Sequence, residues 1–163
     1  RRVKIGNCQI RSELLHLMIT ALIGTFLISA PLALADIGQI KTLKGKVEIE
    51  RAGKTLTAEA GDALEQADTI VTGADGQLGM TFIDSTRMSS GPNSRIELSR
   101  FRFNSTTHDG EFNTRVKRGT LSVISGQIAK RSPDAMKVMT PASILGVRGT
   151  RFLVKVDDAG AGQ

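Results

Sequence analysis

Few side chains in this 163-residue chain could do covalent chemistry. Ser125 is followed five residues later by Lys130. A lysine can take a serine's proton, but nucleophilic catalysis needs that base held by a third group, and the spacing fits no such arrangement. His108 stands in a polar run from Asn104 to Gly110, and one histidine among scattered carboxylates makes no ligand cluster. Asp75, Asp84 and Asp109 read as turn residues. The expectation is therefore no catalytic residue, no metal and no cofactor. One position does stand out: Arg148, inside Val138–Phe152 (VMTPASILGVRGTRF). Its guanidinium is a rigid fork of five donors. Pro141 fixes its own φ and biases Thr140 toward extended geometry, while Gly146 and Gly149 permit unusual dihedrals on either side of Val147 and Arg148. The fork can lock the turn, through carbonyls or an acid such as Asp62 or Asp84, or it can meet a partner's carboxylate. Thr150 and Phe152 complete the candidate motif.

The elements that must hold this segment are strands. Apolar residues alternate with period two at Val47 and Ile49, at Leu78, Met80 and Phe82, at Leu121 and Val123, and at Phe152, Val154 and Val156. Turn signals fall at Ala52-Gly53, Gly61-Asp62, Asp75-Gly76, Gly91-Pro92-Asn93, Asp109-Gly110 and Gly126. Helical spacing is not sustained beyond residue 36. Between Ser94 and Phe103 the phase changes, with Ile96 and Leu98 in step but Phe101 and Phe103 shifted by one, which predicts a bulge near Ser99 and Arg100. Glycine-led segments at Gly45, Gly76 and Gly119 are 31 and 43 residues apart, so no fixed repeat exists. The pattern predicts an all-β fold of about ten short strands. It is a single compact β-sandwich or β-roll, with β-helix-like wrapping compatible with the roll.

At the N-terminus Arg1, Arg2, Lys4 and Arg11 precede an uncharged stretch from Leu14 to Ile28 and then Ala33-Leu34-Ala35. That order reads as a signal-peptide helix over residues 1–35, cleaved after Ala35. The rival reading is an uncleaved membrane anchor. Residues 1–35 hold four Lys or Arg and one acid, so 18 Lys plus Arg face 15 Asp plus Glu in the remainder, a net charge of about +3. With no Trp, no Tyr and no long basic run, nucleic acid is not an expected partner. The remainder has no cysteine, so disulfides and thiolate metal sites are excluded from it. A domain of this length buries roughly two thirds of its unfolded surface and can stand on its core alone.

The Val138–Phe152 segment resembles the C-terminal signature of the FecR family of bacterial envelope signalling domains, TP-x-A followed by GVRGT and a strand. Gly61-Asp62 and Asp68-Thr69-Ile70-Val71-Thr72-Gly73-Ala74-Asp75-Gly76 are similar to that family's GD and D-x-I-x-T-x-x-D-G elements. Leu78, Met80, Phe82, Asp84, Pro92-Asn93-Ser94, Ile96 and Leu98 resemble its next two strands. Asp84-Ser85-Thr86 departs from the family's Asp-Gly-Ser/Thr. The resemblance covers roughly residues 38–156. It implies that residues 36–163 are a non-enzymatic, exported FecR-like domain that senses or relays envelope signals by binding an envelope or membrane-bound signalling protein. The expected location is the periplasm, with the membrane touched only through an uncleaved signal segment. The family pattern continues into a further strand beyond Asp157–Gln163, so the last hairpin partner is expected to be missing. The alternative is a structural or glycan-binding cell-envelope module, for which exposed aromatics would be the usual mark.

Overall fold

The computed structural model describes residues 35–132, 134–148 and 151–157. The signal-peptide reading lies outside these residues, as do Gly149 and Thr150. The described residues belong to one compact unit and form β1 (Gly38–Lys44), β2 (Val47–Arg51), β3 (Lys54–Thr57), β4 (Ala63–Leu64), β5 (Thr69–Thr72), β6 (Gln77–Phe82), β7 (Arg87–Ser90), β8 (Arg95–Phe103), β9 (Gly110–Ile124), α1 (Gln127–Arg131), β10 (Met136–Met139), β11 (Ile144–Gly146) and β12 (Arg151–Val156). The count is twelve strands rather than about ten. β4 and β11, of two and three residues, are too short to show alternation.

All twelve join in one curled sheet, ordered β3-β2-β5-β8-β9-β7-β6-β1-β4, with β10, β11 and β12 added beside β9. Pairing is antiparallel throughout except between β10 and β9. The organising element is β9, 15 residues long. Its first half pairs with β8 and, around Phe112–Arg115, with β10. Its second half lies between β7 and β12. The curl is made at Gly119, whose φ of +89° is left-handed and whose missing Cβ would meet the Ser94 Oγ at 2.2 Å. A side chain there would be strained and would clash. Ser94 uses the space to accept from the Thr120 N–H at 3.0 Å and to donate to the Gly91 carbonyl at 2.9 Å.

The curl folds the sheet's inner faces onto each other. Ile40, Met80, Met88 and Val123 are successive cross-strand partners on one half. Ile49, Ile70, Ile96 and Val116 form the corresponding row on the other. All eight are buried, and each large one contributes roughly 1.5–3 kcal/mol. Phe82 from the first half meets Phe112 and Phe101 of the second at ring distances of 4.6 and 5.8 Å, in geometries aromatic pairs favour. The predicted bulge is present: Glu97 pairs with Arg115, but the next ladder partner of Asn113 is Arg100. Leu98 and Ser99 on β8 thus oppose the single Thr114 on β9, which brings both Leu98 and Phe101 inward. The five-residue α1, buried at Ile128 and Ala129, is too short for helical periodicity to reveal.

Candidate functional site

Thr140–Arg148 links strands paired to the two halves of β9. Met139 and Ile144 are partners at the end of the β10–β11 hairpin. The turn between them closes through the Thr140 N–H to the Ser143 carbonyl at 2.8 Å and the Ser143 N–H to Thr140 Oγ1 at 3.0 Å. Pro141 occupies the exposed tip, where no N–H is needed. Val147 is buried and its N–H bonds to the Met136 carbonyl at 2.9 Å, so the chain is pinned one residue before Arg148. Phe152 is half-buried opposite Val123.

Gly146 does not take a left-handed φ, and nothing lies within 4 Å of where its Cβ would sit. Unusual backbone geometry is therefore not its role. Arg148 is exposed and has no ion-pair or hydrogen-bond partner among the described residues. Both acids considered for it are engaged elsewhere. Asp84 is fully buried and accepts from the Thr86 N–H at 3.0 Å and hydroxyl at 2.7 Å, while Asp62 accepts from the Glu59 N–H at 2.8 Å. Around Arg148 the surface is apolar. Leu145 is 40% exposed and Leu153 67%. A groove of about 490 Å³ runs between the turn and β12, lined by Thr140, Pro141, Leu145, Leu153 and Val156. A second hollow of about 280 Å³ shares Leu145 and Leu153 and reaches Arg148 and Phe152. Leu153 was legible in the sequence, as the apolar residue standing in the outward phase between Phe152 and Val154. Ile144 and Leu145 carried no such signal.

The motif acids serve the scaffold. Asp68, fully buried, receives Arg51 through two bonds of 2.8 and 2.7 Å and the Glu65 N–H at 2.8 Å. The same guanidinium reaches Glu65 at 2.5 Å and the Ala63 carbonyl at 2.9 Å. The hydrogen bond to Asp68 raises the Arg51 pKa above its ordinary value, against burial and aided by the charges of Asp68 and Glu65. Asp75 caps the neighbouring turn by accepting from the Lys46 N–H at 3.2 Å. On β8, burial pushes the Glu97 carboxyl up, but hydrogen bonds from Lys117 and Ser99 and the charges of Lys117 and Arg115 outweigh it and hold the carboxyl below its ordinary 4.5.

The residues considered for catalysis do not assemble. Ser125 is buried while Lys130 is exposed on α1. His108 sits in the exposed turn after β8, its ring stacked on Phe103 at 6.2 Å. Among the described residues no three His, Cys, Asp or Glu side chains are grouped to hold a metal, and no helix is long and apolar enough to cross a membrane. Residues 68–162 match the family model FecR, described as FecR protein. No curated protein and no solved structure matches the chain.

Proposed function

The chain belongs to the FecR family, and from that membership we propose that it is a non-enzymatic, exported domain that relays an envelope signal by binding a signalling protein. Export follows from the basic, apolar and Ala33-Leu34-Ala35 order of the N-terminal segment, cut after Ala35, and places residues 36–163 in the periplasm. The partner is an envelope or membrane-bound protein. The single observation that carries the binding role is the Arg148 corner. An exposed arginine without a partner among the described residues stands beside exposed Leu145 and Leu153. Arginine is enriched at protein interfaces relative to the rest of the surface.

The test is cross-linked affinity capture from envelope extracts with the chain and an Arg148→Glu variant whose circular dichroism and melting match the parent. A discrete envelope protein held by the parent and lost by the variant supports relay through this corner. Equal capture by both moves the contact away from Arg148. Capture of nothing by either overturns the reading.

A further inference from the structure

The two outward faces of the curled sheet both carry an excess of cations but differ in their carboxylates, in a way the binding role does not require. All four strand carboxylates, Glu48, Glu50, Glu97 and Glu111, lie on β2, β8 and the first half of β9. Each is neutralised there. Glu48 pairs with Lys46 at 3.0 Å, Glu50 with Arg95 at 2.5 Å, Glu97 with Lys117 at 3.0 Å, and Glu111 with Arg100 at 3.1 Å. The opposite face is built from β1, β6, β7, β12 and Gly119–Ile124, and those strands contain no Asp or Glu. Their exposed cations are Lys41, Lys44, Arg87, Arg151 and Lys155. Asp36 and Asp157 lie beyond the strand ends; Lys155 pairs with Asp157 at 2.9 Å and Lys41 donates to the Gln39 side-chain carbonyl, while Lys44, Arg87 and Arg151 have no side-chain partner among the described residues.

Between these cations stand a row of hydroxyls and the half-exposed Ile124. Thr42, Gly79, Ser89 and Ser122 are consecutive cross-strand partners, and Thr42 leans over the glycine, its Oγ1 2.4 Å from where a Cβ would sit. They border a shallow hollow of about 410 Å³ with Gln77 and Thr120. In the next row Thr81 partners Arg87, and Arg87 and Arg151 both partner Ile124, which sets the two arginines roughly 10 Å apart, two strand spacings. Thr42, Thr81, Ser89 and Ser122 have no side-chain hydrogen-bond partner among the described residues. We propose that this face docks an anionic polysaccharide. Its carboxylates or phosphates meet the unpaired cations and its hydroxyls meet the unpaired Ser and Thr hydroxyls. Other occupants fit less well. A protein partner would need aromatic or apolar anchors near the centre, and a bilayer would need apolar side chains to insert, whereas Leu153 stands at the margin. The absence of exposed aromatics is no obstacle to a glycan held by charge and hydroxyl contacts. The face meets the Arg148 corner at Leu153, the cross-strand partner of Ser122.

The test is fluorescence anisotropy of labelled decagalacturonate with the full chain, beside neutral maltodecaose, polyglutamate and phosphatidylglycerol vesicles. Each cation contributes roughly fivefold next to an anionic surface. Arg87→Ser with Arg151→Ser is therefore expected to weaken decagalacturonate binding at least tenfold, and Ser122→Glu to do the same if the double variant misfolds. Arg100→Ser with Arg115→Ser on the paired face should change it less than twofold. Binding should also fall between 50 and 200 mM salt, as the Debye length shortens. No binding, equal loss from both faces, or polyglutamate or vesicles held as tightly as decagalacturonate would overturn the proposal.

Discussion

Replacing Arg51 by methionine should cost this domain about 3–5 kcal/mol of stability. Asp68 is inaccessible to solvent and accepts three hydrogen bonds, two of them from Arg51. Methionine keeps the aliphatic volume but leaves a buried carboxylate with one backbone donor, and breaking a buried pair from one side carries a penalty of about that size. Against a total of roughly 5–15 kcal/mol, that is a large fraction. Urea unfolding at pH 7, followed by circular dichroism, reads it directly as a fall in midpoint. Arg51→Lys keeps the charge but not the two-pronged geometry, so it should lose about 1–2 kcal/mol. Arg51→Met combined with Asp68→Leu removes both charges and should recover part of the loss, because an apolar pair of similar volume often replaces a buried ion pair without penalty, while Glu65 is left without the guanidinium and its N–H without an acceptor. A loss below about 1 kcal/mol for the single variant, or a double variant no better than the single, would refute the reasoning.

Gly119→Ala combines a left-handed residue with a Cβ forced against the Ser94 backbone and side chain, and should lower stability by at least about 2 kcal/mol in the same assay. Thr86→Val removes the hydroxyl that donates to buried Asp84 and accepts from the Gly126 N–H, with an expected loss of about 2–4 kcal/mol in thermal unfolding. Glu97, whose carboxyl is held below 4.5, contributes stability that is complete above that pH and is lost as pH falls through its lowered folded value. Glu97→Gln should therefore flatten the acid limb of a urea-midpoint profile below pH 4.5, by less than about 1 kcal/mol because the carboxylate is partly solvated.

What could be read from the residues was what local physics controls. The glycine and acid turns, the inward faces of β2, β6 and β12, and the β8 bulge follow from period-two alternation and its interruption. Pairing partners did not follow, because alternation states which face a residue takes and not which strand lies beside it. The parallel β10–β9 ladder and the double life of β9 were illegible for that reason. The same limit applies to Asp68. Its place at the head of the D-x-I-x-T-x-x-D-G element was evident, but its cation lies 17 residues upstream on β2 and is brought to it by packing. At the candidate site Arg148 was found by its flanking glycines, yet its freedom from Asp62 and Asp84 depends on the shorter-range donors that each acid meets first.

A strand that belongs to both halves of a sheet has a consequence for how the domain comes apart. β9 is bordered by β8 and β10 along one stretch and by β7 and β12 along the other. Neither half can open without exposing the ladder of the other, so partial unfolding is confined to the rim strands β3, β4, β11 and β12. Backbone amides of Val116 and Leu121, on either side of Gly119, should then exchange with solvent at one common rate set by global unfolding. The long strand makes the two halves a single cooperative unit.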